Sequence, residues 1–596
     1  MKDNRSFFAE ITRRNVHRAA VFYAASAWLV VQVAADVFPV FGIPDAVVRW
    51  VIVLLTIGFP CAMLFSWFYE WTPTGIKKES EIDIAESITH LTGRKMDRYI
   101  VAVLMLVLVV LLADRLVTPP RAIKSDPSVA VLPLTNEGGN PENEYFSDGL
   151  TEELIAVLGQ IPKLKVIGRN SSFRFKDSTT DSRTIGNLLG VAHLLEGRVR
   201  RFDQRIRIVV GLVRVADNRQ LWGQTYDRAA GDIFAVQAEI AEAVAQALQL
   251  TMLDGDQRAA PQPARTVEAH NAFLQGHFFL ERSSFEGWHR AIEYYDEAIR
   301  LDPDYALAYA ERATATTWLA TRNPPNVASL RAAARRDAER GIALDERLAE
   351  AHAALGLVRF YLDWNFAGAA RELKRAEELA PNNPRSKYRL AQVQLFQGSV
   401  DDATALAIEA AELDPLSYSA HNVLARVLMA QGQHNAAEAQ GRKAAELQPT
   451  AVASRRWQVI GAVLRGDAQT ALREAALEGS QASATGPTQG FRKFEFALAH
   501  YADGNTAESD AALASLIAND SDSMAYQIAE VYAWRGDTDE AFQWLRRSYD
   551  SHDAGTLGML ADPLLRRLHD DPRFDDMLAE LGLELPDSDS VLRSAP

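Results

Sequence analysis

Few side chains in this sequence are spaced for chemistry. His270 and His277 lie seven residues apart, about two helical turns, so a helix would carry both imidazoles on one face. Such a pair could begin a metal site, but no third ligand stands nearby, and two packing or surface histidines suit the same spacing. The stretch Asn136–Glu144 follows a strand-like run and precedes a helix-like one, where a phosphate-binding loop would sit. Its Glu137, Glu142 and Glu144, with Asp148, would repel a phosphate, so an ordinary turn is expected. Arg198, Arg200, Arg201, Arg205, Arg207 and Arg214 crowd one segment. Strand alternation sends Arg205 and Arg207 to one face and Ile206 and Ile208 to the other. That basic face could meet anionic lipid headgroups or an acidic partner, or could pair with local acids. No H-E-x-x-H, P-loop, G-x-S-x-G or G-x-G-x-x-G match occurs. No catalytic, metal or cofactor residue is assigned, and a protein that is not an enzyme and needs no cofactor is expected.

The elements that would position a binding site announce themselves by period. Gly398, Gly432 and Gly466 are spaced by 34 residues, as are Pro381, Pro415 and Pro449, and the alanines Ala369, Ala403, Ala437 and Ala471. The glycines fall where one helix ends and reverses, the prolines where one unit gives way to the next, and the alanines where two helices cross closely. A fixed period of this kind marks a helix-turn-helix solenoid, whose stacked units leave a concave binding surface. The chain here is similar to the tetratricopeptide (TPR) repeat family over roughly 268–582. Gln392, Asn422 and Arg426 fall on the groove-facing helices and are the candidate partner contacts, for a protein or peptide. The carboxylate clamp of chaperone-binding members is not implied, because its first-unit positions are Gly276 and Leu280 here.

The net charge of −15 over 596 residues argues against nucleic acid as a partner. Cys61, the single cysteine, excludes intramolecular disulfides. Three apolar stretches precede residue 120, and they are expected to cross a membrane as helices over about 19–36, 47–70 and 97–117. Lysines and arginines concentrate in 1–18, a basic amphipathic segment, and in the 71–98 loop, which would place both in the cytoplasm. Everything after about residue 118 would then be periplasmic, in a multi-pass bacterial inner-membrane protein. Alternatively the first stretch is a cleaved signal peptide, since Val33-Ala34-Ala35 suits a peptidase. Membrane lipid is a further expected contact, and a homo-oligomer is compatible with the sequence.

Between membrane region and repeats, 128–252 reads as a small α/β domain with a mixed sheet, flanked by linkers 118–127 and 253–267; a tail follows at 583–596. Ser147 or Asp148 would cap its first helix. The motifs Val129-Ala-Val-Leu-Pro, Glu144-Tyr-Phe-Ser-Asp-Gly-Leu, Leu195-Glu-Gly-Arg-Val-Arg and Asp232-Ile-Phe-Ala-Val-Gln resemble the TolB amino-terminal-like (FlgO-like) domain. That module accompanies TPR arrays in membrane-anchored winged-helix regulators and in some adenylate cyclases. No winged-helix or cyclase domain precedes the membrane region, so neither activity is implied. The expected fold is therefore multi-domain: three transmembrane helices, an α/β domain, then an all-α TPR solenoid. The expected function is non-enzymatic presentation of the domain and array for protein interaction, envelope assembly or sensing. A receptor signalling to a cytoplasmic partner is the alternative, and a cyclase-related enzyme a weaker one.

Overall fold

The stretch 193–229 builds three long strands, with the buried-then-exposed alternation clearest over 205–210, where Ile206, Ile208 and Val210 face the core. In the computed structural model these are β6 (His193–Phe202), β7 (Arg205–Arg214) and β8 (Arg219–Ala229), an antiparallel meander. Two short strands, β3 (Ser128–Val131) and β5 (Lys165–Val166), add parallel pairs in the order β5-β3-β6-β7-β8, and β4 (Thr135–Asn136) pairs with β6. The sheet is therefore mixed. The structure describes 127–586 apart from short gaps, of which 251–265 and 479–486 are the longest, together with Leu592 and scattered residues between 20 and 78.

Helices α1 (Glu144–Leu158) and α4 (Ile233–Ala247) bury Leu150, Leu154, Leu158, Ile240 and Val244 in one core with Ile206, Ile208 and Val210 of the sheet. The short helices are α2 (Arg169–Phe173) and α3 (Ser182–Leu189); Ile185 and Leu189 of α3 join a second core with Ala130, Leu194 and Val215. Neither Ser147 nor Asp148 caps α1, which begins at Glu144 and so buries both inside its first turns. Lys176 instead binds Asp148 and Glu144, at 2.6 and 2.5 Å, and satisfies the acids there.

From residue 267 onward the chain is a TPR-like array of helix pairs. They are α5 (Val267–Leu280) with α6 (Phe285–Leu301), α7 (Ala306–Ala320) with α8 (Val327–Leu344), and α9 (Ala349–Leu357) with α10 (Phe366–Leu379). Next come α11 (Pro384–Phe396) with α12 (Val400–Leu413), α13 (Tyr418–Ala430) with α14 (His434–Leu447), and α15 (Arg456–Leu464) with α16 (Ala468–Leu477). The pairs α17 (Pro487–Ala502) with α18 (Thr506–Asp520) and α19 (Ala525–Arg535) with α20 (Thr538–Asp550) complete it. Two 3₁₀ turns, Ala554–Ala561 and Pro563–Leu568, lead to α21 (Pro572–Glu580).

Ala369, Ala403, Ala437 and Ala471 are fully buried, consistent with close helix crossings. Gly398, Gly432 and Gly466 all have positive φ, which ends the first helix of each pair in the left-handed conformation. Trp364, 34 residues before Gly398, takes the same conformation with φ 52°. A π turn, Val358–Leu362, extends α9 just before it.

The structure divides into two units, 1–124 and 125–596. Within the first, the Tyr23 hydroxyl donates to the Leu55 carbonyl at 2.8 Å and its ring meets Phe59 edge-on, while the hydroxyl leaves no room for a Cβ at Gly58. β1 (Tyr69–Thr72) and β2 (Gly75–Lys78) form a hairpin.

The expected membrane region needs correction. Among the described residues no helix is long and apolar enough to cross a membrane. A span needs about 20 apolar residues in one unbroken helix. The expected 47–70 segment instead runs at Tyr69 into β1, where Glu70 pairs with Lys77. The expected 97–117 segment lies outside the described residues, as does much of 19–36. The multi-pass inner-membrane location, with a cytoplasmic N-terminus and periplasmic C-terminal domains, rested on those helices and is withdrawn with them.

Candidate functional site

The repeat period places a turn between units every 34 residues, and three successive turns hold the α/β domain. In the first, Asn382 donates to the carbonyls of Gly159 and Leu164 at 2.8 and 3.1 Å. In the second, the wholly buried Asp414 accepts from the Ser171 amide at 2.7 Å, the Ser171 hydroxyl at 2.5 Å and Asn170 at 2.8 Å. The array thus supplies the acceptor for the free amides at the start of α2. Gly168 donates to the Leu413 carbonyl at 2.7 Å, and a Cβ there would collide with Pro384 and Asp414. In the third, Arg174 donates to the Leu447 carbonyl at 2.9 Å.

Behind these turns runs a chain of charges across the seam. His277 meets Glu152 at 2.5 Å, Glu152 meets Arg169 at 2.6 Å, Arg169 meets Glu281 at 3.0 Å, and Glu281 meets Arg385 at 2.5 Å. Burial pulls the His277 imidazole down, but Glu152 overrides it and holds the pKa near 9. Burial lowers the His270 imidazole, Arg201 adds to it, and its pKa falls to about 4. The two histidines lie on α5 but do not act together. His270 packs edge-on to Phe234, and among the described residues no group of three could hold a metal ion.

The seam holds a half-open cavity of about 420 Å³ between α1 and α4 on one side and α5, α7, α9 and α11 on the other. Phe234, Phe273, Leu274 and Leu307 give it apolar walls; Glu153, Glu311, Glu350 and Arg389 add ionisable groups. Burial pushes the Glu153 carboxyl up to about 8, against a hydrogen bond from Gln237.

The groove candidates sit further along. Gln392 bonds to Tyr361. Asn422 accepts from the Trp457 indole at 2.7 Å. The Arg426 guanidinium lies over Phe396 at 5.2 Å and Trp457 at 5.5 Å, and has no carboxylate partner among the described residues. Burial lowers its pKa, with neighbouring Arg456 adding to the effect. Arg456 itself pairs with Glu530. The structure thus gathers Gln392, Asn422 and Arg426 around one set of rings. Part of this surface is lined by the chain itself, because the 3₁₀ turns bring Gly558 against Phe396 and Arg566 to the Ala430 carbonyl.

Arg205 and Arg207 join neither place. Both bind Asp227 on β8, Arg207 at 2.7 Å, so local acid satisfies the basic face of the hairpin. In the 136–144 loop, Asn136 bonds to Glu144 at 3.3 Å, and residues 138 and 140–142 lie outside the described residues. The seam residues Glu152, Arg169, Glu281 and Arg385 carried no sequence signal, since more than 200 positions separate the first from the last and no motif joins them.

No protein-family model matches the chain. A relative named "Putative adenylate cyclase 3", from Rhizobium meliloti (strain 1021), is 36% identical over 200 residues, which cover 32% of this chain and 33% of the relative. The chain thus spans about a third of the curated relative it matches. Among solved structures, Pseudomonas aeruginosa PilF is 18% identical and covers 38% of this chain and 96% of its own, with a TM-score of 0.30. PilW, a type IV pilus biogenesis factor, is 15% identical over 42% of this chain and 93% of its own, with a TM-score of 0.28. YrrB, a TPR protein with an unusual peptide-binding site, is 22% identical over 30% of this chain and 87% of its own, with a TM-score of 0.21. At such scores these structures are similar in their helical repeats and carry no further argument.

Proposed function

We propose that the protein is a non-enzymatic interaction protein in which the α/β domain and the repeat array work as one body and the array holds an acidic segment of a partner protein. The observation that supports this reading is Arg426, a partly buried guanidinium stacked between two rings that makes no ion pair among the described residues and feels Asp562 only at longer range. Burying an unpaired cation is costly, so such a group is poised for an anion that arrives with a ligand. Asn422, held by Trp457, and Gln392, held by Tyr361, present amides beside it. The resemblance of 128–252 to the TolB amino-terminal-like module, found beside TPR arrays in regulators, is in keeping with a role in assembly or signalling.

The test is binding of fluorescent acidic peptides to the full-length protein. Acidic peptides should bind more tightly than basic ones, and Arg426→Gln should weaken them about tenfold, the loss of one charge-assisted contact. Equal binding by the variant would refute the assignment. The relative's name favours a second reading, cyclic-nucleotide formation. Product formed from ATP by the purified chain would establish it, and none is expected.

A further inference from the structure

The seam cavity differs from an ordinary packing defect in size and in lining. It is a half-open cleft of about 420 Å³, within the range of sites that hold small organic ligands. Its charges are unevenly answered. Glu152 is held by His277 and Arg169, and Arg385 by Glu281. Asp414 is filled by Ser171 and Asn170. Glu311 on α7 and Glu350 on α9 line the same cavity with Arg389; neither carboxylate makes an ion pair within 4 Å among the described residues, and each feels His277 only at longer range. The opposite wall offers the apolar patch Ile155, Ala156 and Phe234, beside Glu153 and Gln237, which bond to each other. Tyr305 and Phe273, whose rings lie 5.3 Å apart, offer faces on which a cation can rest.

We propose that this cavity is a binding site for a small organic cation, an amine or guanidine on a short hydrocarbon chain. Its charged end lies between Glu311 and Glu350 and its hydrocarbon part against the α1–α4 wall. Burial, with Glu311 contributing, pushes the Glu350 carboxyl up to about 7, and an arriving cation would relieve that cost. The ligand would touch both the α/β domain and the array, so its binding and the docking of the domain would favour one another. The site is separate from the Arg426 surface, and its failure would leave the peptide reading intact.

Titration calorimetry on the full-length protein tests it, with putrescine and agmatine as probes and succinate as the anionic control. Both cations should bind and succinate should not, and Glu311→Gln with Glu350→Gln should weaken the cations by at least about tenfold. Removing buried charge should leave the fold intact, and the single Glu350→Gln variant gives the same reading in weaker form. No binding by either cation, binding unchanged in the variants, or equal binding of succinate would each overturn the proposal.

Discussion

His270 and His277 share a helix yet sit in opposite charge states, because burial dominates at His270, whose nearest acid Glu153 is itself held largely protonated, whereas His277 faces Glu152. The consequence is a pH dependence with a definite sign. A histidine whose folded pKa is raised from 6.5 to about 9 stabilises fully below 6.5, and that contribution disappears as pH rises through 9. Glu153, raised to about 8, acts in the same direction, since its protonated form is favoured in the fold and that advantage shrinks from its unfolded value of 4.5 upward. Unfolding free energy should therefore fall between pH 6.5 and 9, by on the order of 3 kcal/mol from His277 alone. Urea titrations across that range should show the fall, and Glu152→Gln should flatten it; a flat profile in the parent would show the pair to be unformed. The seven-residue spacing showed that one face would carry both rings. It could not show which acid a separate domain would bring to one of them. Likewise, alternation put Arg205 and Arg207 on one face, but Asp227 became their partner only through the β7–β8 register.

Helix crossings at the repeated alanines hold the array together. Ala437 is fully buried, so Ala437→Leu inserts three heavy atoms into a filled seam and should cost roughly 1–3 kcal/mol. Nearest-neighbour stacking confines the damage, so protease cleavage should appear around 384–470 and spare 128–247. Unchanged melting and cleavage would mean that the crossing is loose. Trp364 breaks the glycine rule of the following units, and its ring stacks on His552 at 4.2 Å and meets Tyr549 edge-on. A tryptophan tolerates the left-handed conformation only where packing compensates. Trp364→Ala should destabilise by about 3–5 kcal/mol and loosen the turns after α20, seen as faster amide exchange over 549–568. Exchange no faster there would separate Trp364 from that segment. The period was legible because the glycine and alanine phases are steric necessities. The π turn and Trp364 were not, because they depend on a contact with residues almost 200 positions away.

Across the whole molecule, the surprise is that the α/β domain rests on the turns of the array. The prolines at 381, 415 and 449 marked those turns, but nothing in the sequence said that Asn382 and Asp414 beside them would be occupied by another domain. Asp414→Ala leaves the Ser171 amide and hydroxyl without their acceptor and Asn170 with only the Ser417 hydroxyl, at about 1–3 kcal/mol for each buried group left unpaired. The α/β domain should then melt separately from the array in calorimetry, where the parent is expected to show one shared transition. Two transitions in the parent would mean that docking contributes little.

Docking itself can be trapped covalently. A Cβ at Gly159 would lie 3.8 Å from the Cβ of Asn382, within the ~3.5–4.5 Å that disulfides span, and the backbone at Gly159 is ordinary right-handed helix. With Cys61→Ser removing the natural thiol, Gly159→Cys combined with Asn382→Cys should form an intramolecular disulfide under mild oxidation, identified as one linked peptide pair by mass spectrometry. Acidic-peptide binding at Arg426 should survive the link. Two free thiols after oxidation of the folded double variant would contradict the account that the α/β domain and the array act as one body.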